Sequence, residues 1–314
     1  MSIRIIKPGL QTSIQDLGRM AYRSQGISQS GAIDSYSLQL ANWLVGKKAD
    51  SPCLEVYLVG PAIEFQENLT IGIAGADFEL FINDKAITSH RTHQIVKGDI
   101  LTFGKCRSGA RAYISFAGQL ASTAILASYS QDLTAQLGPY NGKALRQGQE
   151  FSIEKIDTPK IIKKIPQPLI PLYPKNSVVR VTKGLEFNNL SISSQQHLFD
   201  KPFHISSHSN RMGIRLEDNP LQLENKEQIT SSPIVTGTIQ LPESGNPIIT
   251  LNEGQTIGGY PRVAQVISAD LPLLGQQAPG NHIRFYPVSI EKALLILNNK
   301  RSFILNTLEK EPRY

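Results

Sequence analysis

A mainly β architecture, folded as two barrel-like halves with a few short helices, is what these 314 residues predict. Twenty-four glycines and nineteen prolines supply turns for many short strands. Runs of β-branched and aromatic residues bounded by turn residues recur in both halves. Five prolines between Pro159 and Pro174 separate those halves, because proline lacks a donor and fixes φ, which excludes a helix or a central strand.

In the first half the expected strands are 54–58, 62–65, 70–73, 78–82, 100–103 and 112–116. One helix interrupts the series. Asp34 is a suitable cap, Leu38, Ala41, Leu44 and Val45 follow at helical spacing, and Gly46 ends it. The second half repeats the pattern at 178–181, 234–239, 248–251, 263–267 and 283–286. A final helix starts at Ser289, with Ile290, Ala293, Leu294, Leu297, Ile304, Leu305 and Leu308 on one stripe. The alternating helices of a doubly wound α/β fold are missing.

Two echoes link the halves. Ile3-Arg-Ile-Ile-Lys7 resembles Val179-Arg-Val-Thr-Lys183, and Lys97–Phe103 resembles Pro279–Phe285, at offsets of about 176 and 182. Duplication of one topology accounts for both. The expected organisation is a first subdomain over 1–160, a semi-rigid Pro-rich linker over 161–176, and a second subdomain with its terminal helix over 177–314.

Thirty-two basic residues against 26 acidic ones leave a net charge of +6. The clearest basic clusters are Lys160, Lys163 and Lys164 in the Pro-rich stretch and Lys300-Arg301 near the end. Neither carries interleaved aromatics, so both read as solvated linker and tail charge rather than a nucleic-acid surface. The mild positive field still favours small anionic substrates. Cys53 and Cys106 are too few for a disulfide framework and read as reduced core thiols. The N-terminus lacks a secretory apolar core, and no apolar run approaches the roughly 20 residues that span a bilayer, so a cytoplasmic protein without a membrane partner is expected.

Five segments combine glycine with polar groups: Gln15-Asp16-Leu-Gly18-Arg19 with Tyr22-Arg23, Ser30-Gly31-Ala-Ile-Asp34, Gly75-Ala-Asp77, Ser209-Asn-Arg211-Met-Gly213-Ile-Arg215-Leu-Glu217, and Gly254-Gln255-Thr256-Ile-Gly258-Gly259-Tyr260-Pro261-Arg262. The last leads to Ser268-Ala-Asp270. Structural roles are available to each: Asp34 and Asp270 as caps, Gly258-Gly259 as a turn, Arg211 and Arg215 as surface charge. The functional alternative is that arginine forks bind a carboxylate or phosphate while glycines let backbone N–H groups approach it. There is no P-loop and no Gly-x-Ser-x-Gly elbow. No Met-Lys pair exists to carry biotin. The pairs His90/His93 and His204/His208 lack further ligands, so no metal site is expected.

Taken in order, KPGLQTSIQDLGR, YR, GISQSGAID, LANWLVG, LEVYLVGP, IAGAD, NRMGIRLE and GQTIGGYPRVAQVISADLP resemble the family of the C-type subunit of 5-oxoprolinase, also described as allophanate hydrolase subunit 2 or the KipI-antagonist protein, related to the carboxyltransferase domain of urea carboxylase. The resemblance spans roughly residues 3–286. It implies two cyclophilin-like β-barrel subdomains and ATP-dependent opening of 5-oxoproline to glutamate. It also implies assembly with a KipI-like sister, the B-type subunit of 5-oxoprolinase, and with a separate A-type subunit. ATP would then be bound in the assembled complex, with no biotin on this chain. Two departures stand out: Arg262 follows GGYP where many relatives carry lysine, and Tyr129 stands where an arginine is expected.

Opening a lactam requires cations for developing charge and a carboxylate to orient water. That need assigns Arg211, Arg215 and Arg262 to the anion, Asp16 and Asp77 to acid/base work, and Gln255, Thr256 and Tyr260 to the amide. Ser30, Gly31, Gly258 and Gly259 complete the expected substrate contacts. Two other functions fit the same resemblance: carboxyl transfer to a urea-like amide, and a regulatory protein that only binds its sister subunit.

Overall fold

The computed structural model describes residues 2–155, 162–224 and 229–309. Two compact units divide them. One takes in the chain up to Met20 and Ser30–Tyr173, the other Ala21–Gln29 and the chain from Pro174 onward. The expected division at 160/161 falls outside the described residues.

The first unit is a half-barrel made from one ten-stranded sheet. Its main path runs through Gln11–Gln15, Cys53–Tyr57, Ile100–Phe116, Ala62–Phe65, Ser2–Lys7, Glu150–Lys155 and Gly118–Leu120, and Leu69–Ile82 pairs along Ile100–Phe116. Alternation drives the assembly: in Ser2–Lys7 only Ile3 and Ile5 point inward, joining Ile14, Ile63, Ile71, Leu101 and Ile114 in the core. Two expected strand pairs, 70–73 with 78–82 and 100–103 with 112–116, are each one long strand. Gly75, which falls between two of the expected strands, sits at a bulge with φ 108°. A Cβ there would lie 2.5 Å from the Arg111 carbonyl oxygen, so only glycine lets the strands stay paired. The bulge re-aims Asp77.

Helix α1 (Ser35–Leu44) packs Leu38, Ala41 and Leu44 into this unit. Asp34 caps it, accepting from Ser37 N (2.9 Å) and Ser37 Oγ (2.6 Å). The Pro-rich stretch is not a free linker. Its Lys163 carbonyl accepts from Thr92 N, Ile165 N donates to the His90 carbonyl, and Ile165 and Leu169 are buried. Lys163, expected to be solvated, donates to the Trp43 carbonyl and lies 4.7 Å from the Trp43 ring centre. Burial pushes the Cys53 and Cys106 thiols up to about 11, so both stay protonated and inert at neutral pH.

The second unit is a closed seven-stranded barrel in the order Asn176–Lys183, Arg262–Val266, Thr238–Gln240, Ile248–Thr250, Gly213–Glu217, Phe203–Ile205 and His282–Pro287. Parallel pairing of the last strand with the first closes it. Val179, Val181, Phe203, Leu216, Ile239, Ile249, Val263 and Ile283 fill the inside. The mainly β, two-barrel expectation therefore holds, with the first barrel open. The expected strand 234–239 is shorter, Thr238–Gln240, because Ile234 and Val235 belong to the loop before it. Helix α2 (Ile192–Asp200), capped by Ser191, has no apolar stripe to announce it in the sequence: only Ser194 and Leu198 are buried.

Asp270 precedes the short α3 (Leu271–Leu274) but makes no side-chain cap bond there. Its carboxylate accepts instead from Arg180 N, Nε (both 2.9 Å) and Nη2. Helix α4 (Ile290–Glu309) starts at Ser289, whose Oγ accepts from Lys292 N. No described residue of α4 is buried. No helix among the described residues is long and apolar enough to cross a membrane.

Asp34→Ala removes the α1 cap and a buried acceptor. We expect a loss of about 1–2 kcal/mol, read as a lower urea midpoint at unchanged slope.

Candidate functional site

Within the second unit, one cleft of about 660 Å³ opens on the barrel wall, with Arg215, Gln240, Thr250, Gly254, Gln255 and Tyr260 among its lining. Strand geometry places them. Gly213–Glu217 turns Arg215 outward while Ile214 and Leu216 face the core. Thr250 ends the neighbouring strand and Gln240 the one beyond it. Gln255 and Tyr260 come from the glycine-rich loop and are exposed.

Two loops make the floor, and a buried ion pair ties them together. Arg211 is 3% exposed and its Nε donates to Glu253 Oε1. Beside that pair, Glu253 N donates to the Arg211 carbonyl (3.1 Å) and Leu251 N to the Met212 carbonyl (2.9 Å). The loops touch so closely that a Cβ on Gly254 would lie 2.8 Å from the Met212 carbonyl oxygen and 2.4 Å from Thr250 Cγ2.

The three arginines assigned to the anion thus differ. Arg211 is committed to Glu253 beneath the cleft. Arg262 is committed too, with Nε (3.0 Å) and Nη2 (2.7 Å) on the Glu186 carboxylate. Those bonds hold the Glu186 carboxyl below its usual range. Arg215 is exposed at the cleft and has no ion pair among the described residues. Its fork is open to the cleft.

Gln255 and Tyr260 line the cleft, whereas Thr256, Gly258 and Gly259 sit beside it. Gly258 pairs with Ser232 in a two-residue bridge, and the Thr256 carbonyl accepts from Ile234 N. Sequence reasoning missed Gln240 and Thr250, which sit in short strands without motif character. It also missed Glu253 and Glu186, the partners that occupy two of its arginines. Glu253, directly before the Gly254 motif, was the one available signal.

The remaining assigned residues lie in the first unit. Asp16 is 6% exposed, and its carboxylate accepts from Gly18 N (2.7 Å), Ser128 Oγ (2.7 Å), Tyr129 N (2.6 Å) and Ser130 Oγ (2.5 Å). Ser30 is buried at φ 53°, with Oγ donating to the Gln131 carbonyl, and Gly31 follows at φ 88°. This knot joins the QDLG, SQSG and SYSQ segments. Asp77 is half-buried at the bulge. Burial depresses the basicity of nearby His90, whose ring nitrogens face Gly75 O and Ser89 Oγ. Among the described residues no group of three or more His, Cys, Asp or Glu could hold a metal.

Residues 25–287 match the family described as carboxyltransferase domain, subdomains A and B, and the chain belongs to that family. It is 33% identical to the C-type subunit of 5-oxoprolinase from Escherichia coli (strain K12) over 292 residues, 93% of each chain. The Haemophilus influenzae protein of the same name is 32% identical over 98% of each chain. Urea amidolyase of Saccharomyces cerevisiae is 31% identical over 93% of this chain but only 17% of its own length. The crystal structure of the K. lactis urea amidolyase superposes with a TM-score of 0.91 at 28% identity, covering 98% of this chain and 20% of that one.

Removing Arg211 strands a buried carboxylate, so Arg211→Ala should cost about 3–5 kcal/mol. Arg215→Ala should stay within about 0.5 kcal/mol of wild type, both read by urea denaturation. The Glu186 shift has a sign as well. A depressed folded value adds stability above the unfolded carboxylate value of about 4.3, and that stability is lost as pH falls through the folded value. Glu186→Gln should therefore flatten acid unfolding below about pH 4.3, measured by thermal midpoints across pH.

Proposed function

We propose that this chain is the C-type subunit of a 5-oxoprolinase, working with its A-type and B-type partners to open 5-oxoproline to L-glutamate. One observation carries the reading: similarity to proteins named as that subunit runs over 93–98% of both chains, end to end. The cleft chemistry agrees with it. Arg215 offers a bidentate fork to the ring carboxylate, and Gln255 and Tyr260 offer donors to the lactam.

In the overall reaction the lactam C–N bond breaks, water supplies the oxygen of the new carboxylate, and the ring nitrogen leaves as an amine. A lactam carbonyl is a poor electrophile, and ATP supplies the phosphoryl group that activates its oxygen. The cleft does not fit a triphosphate: Arg215 and His208 face it together with the carboxylate of Glu217, enough for one anionic group only. ATP is accordingly assigned to the assembled complex, and no phosphoryl step is assigned to this chain. Its residues bind and orient. Arg215 fixes the carboxylate, and closing the cleft with a partner would strengthen that contact by excluding water. Asp16, with four donors on its carboxylate, serves to position the Ser128–Ser130 loop in this reading.

A second reading, carboxyl transfer to a urea-like amide, is favoured by the family match and by the urea amidolyase likeness. It needs a biotin carrier on another chain.

The test is ATP-dependent glutamate release by this chain mixed with its neighbouring subunits. Wild type should turn over 5-oxoproline, and Arg215→Ala should lower kcat/KM by about 10- to 100-fold, the worth of a charged hydrogen bond. Full activity in Arg215→Ala, or biotin-dependent carboxylation in place of glutamate release, would overturn the proposal.

A further inference from the structure

Gln240 is 4% exposed on the cleft wall, and its two amide ends are treated unequally. Its Oε1 accepts from Thr250 Oγ1 at 3.3 Å. Its Nε2 is buried and, among the described residues, donates to nothing. A buried donor without an acceptor costs on the order of 1–3 kcal/mol, so such a group calls for an explanation. Apolar packing would serve the barrel better at this position.

The neighbouring loop supplies a second donor. A Cβ built on Gly258 would lie 2.5 Å from Ile234 Cδ1, 2.6 Å from Gln255 Nε2 and 3.3 Å from Gln240 Nε2. Both amide nitrogens therefore border the same side of Gly258, beside the Ile234 methyl group. Two amide N–H groups bordering one space suit an oxygen with two lone pairs set between them. Gln255 is exposed and can swing aside to admit it, whereas Gln240 is held by Thr250.

We propose that Gln240, with Gln255, forms a two-donor site for the carbonyl oxygen of a lactam or amide substrate, and that Gln240 is the residue selecting carbonyl-bearing rings in this cleft. The proposal rests on the 5-oxoproline reading and deepens it. Arg215 takes the carboxylate that 5-oxoproline shares with many amino acids, and Gln240 reads the carbonyl that distinguishes it from proline. Sites built to hydrogen-bond a substrate group reject analogues that lack it, because the buried partner stays unpaired. Thr250 is a positioning residue: it acts through Gln240.

The test compares binding of 5-oxoproline and proline to the assembled subunits by calorimetry. The wild-type chain is set against the double variant Gln240→Met with Thr250→Val, which removes donor and orienting hydroxyl together. Wild type should prefer 5-oxoproline by about 10- to 100-fold. The variant should lose that preference while binding proline as wild type does, with a thermal midpoint unchanged or raised, since an orphaned polar group is gone. A purely structural role for Gln240 would instead lower the midpoint and leave the preference intact, which overturns the assignment. If wild type binds neither compound, the substrate reading falls and this assignment with it. Those two failures are distinct.

Discussion

The cleft exists because a charge is buried beneath it. Arg211 and Glu253 lie 42 positions apart in the chain, on loops that would otherwise be free to separate. Their ion pair, flanked by two backbone bonds, holds the ends of the Gly213–Glu217 and Ile248–Thr250 strands at one height. The placing of two cleft-lining groups follows from that: Arg215 four residues along from Arg211, Gln255 two residues past Glu253. A buried pair is weak evidence for net stability, yet breaking it is costly, and this asymmetry suits a device that fixes geometry.

The first unit uses the same physics. Glu55 and Arg111 are both nearly inaccessible, the guanidinium lies 4.3 Å from the Tyr57 ring centre, and Tyr113 donates to Glu55 at 2.6 Å. Burial and the neighbouring Glu55 charge raise the Tyr113 phenol well above its usual value, so it remains a donor. Tyr113 Oη also accepts from Asp34 N, linking this network to the α1 cap. Asp16 organises its own knot of loop segments. In both units the polar residues within glycine-rich motifs mostly satisfy backbone and one another.

That division explains what was legible in the sequence. Strand alternation and turn residues revealed the β class, α1 with its Asp34 cap and the start of α4 at Ser289, because each depends on local pattern. The break expected between 70–73 and 78–82 is a bulge at Gly75 within one strand, and only the partner strand shows it. α2 lacked a stripe because its neighbours cover little of it. At the site, Arg215 and the Gln255–Tyr260 loop could be picked out by residue type and glycine context. Arg211 and Arg262 looked equivalent to Arg215 because their carboxylate partners, Glu253 and Glu186, are distant in sequence. Gln240 could not be found at all: its significance is an unpaired nitrogen, visible only once the barrel closes.

On the reading proposed above, the cleft of the second barrel, set by the Arg211–Glu253 pair, is where this chain meets its substrate. Hydrogen exchange of the chain within its assembled complex, with and without 5-oxoproline, puts that to the test. Added protection is expected over 213–217, 238–240 and 250–260. Protection confined to the Asp16 knot or the Asp77 bulge, with those segments unchanged, would contradict it.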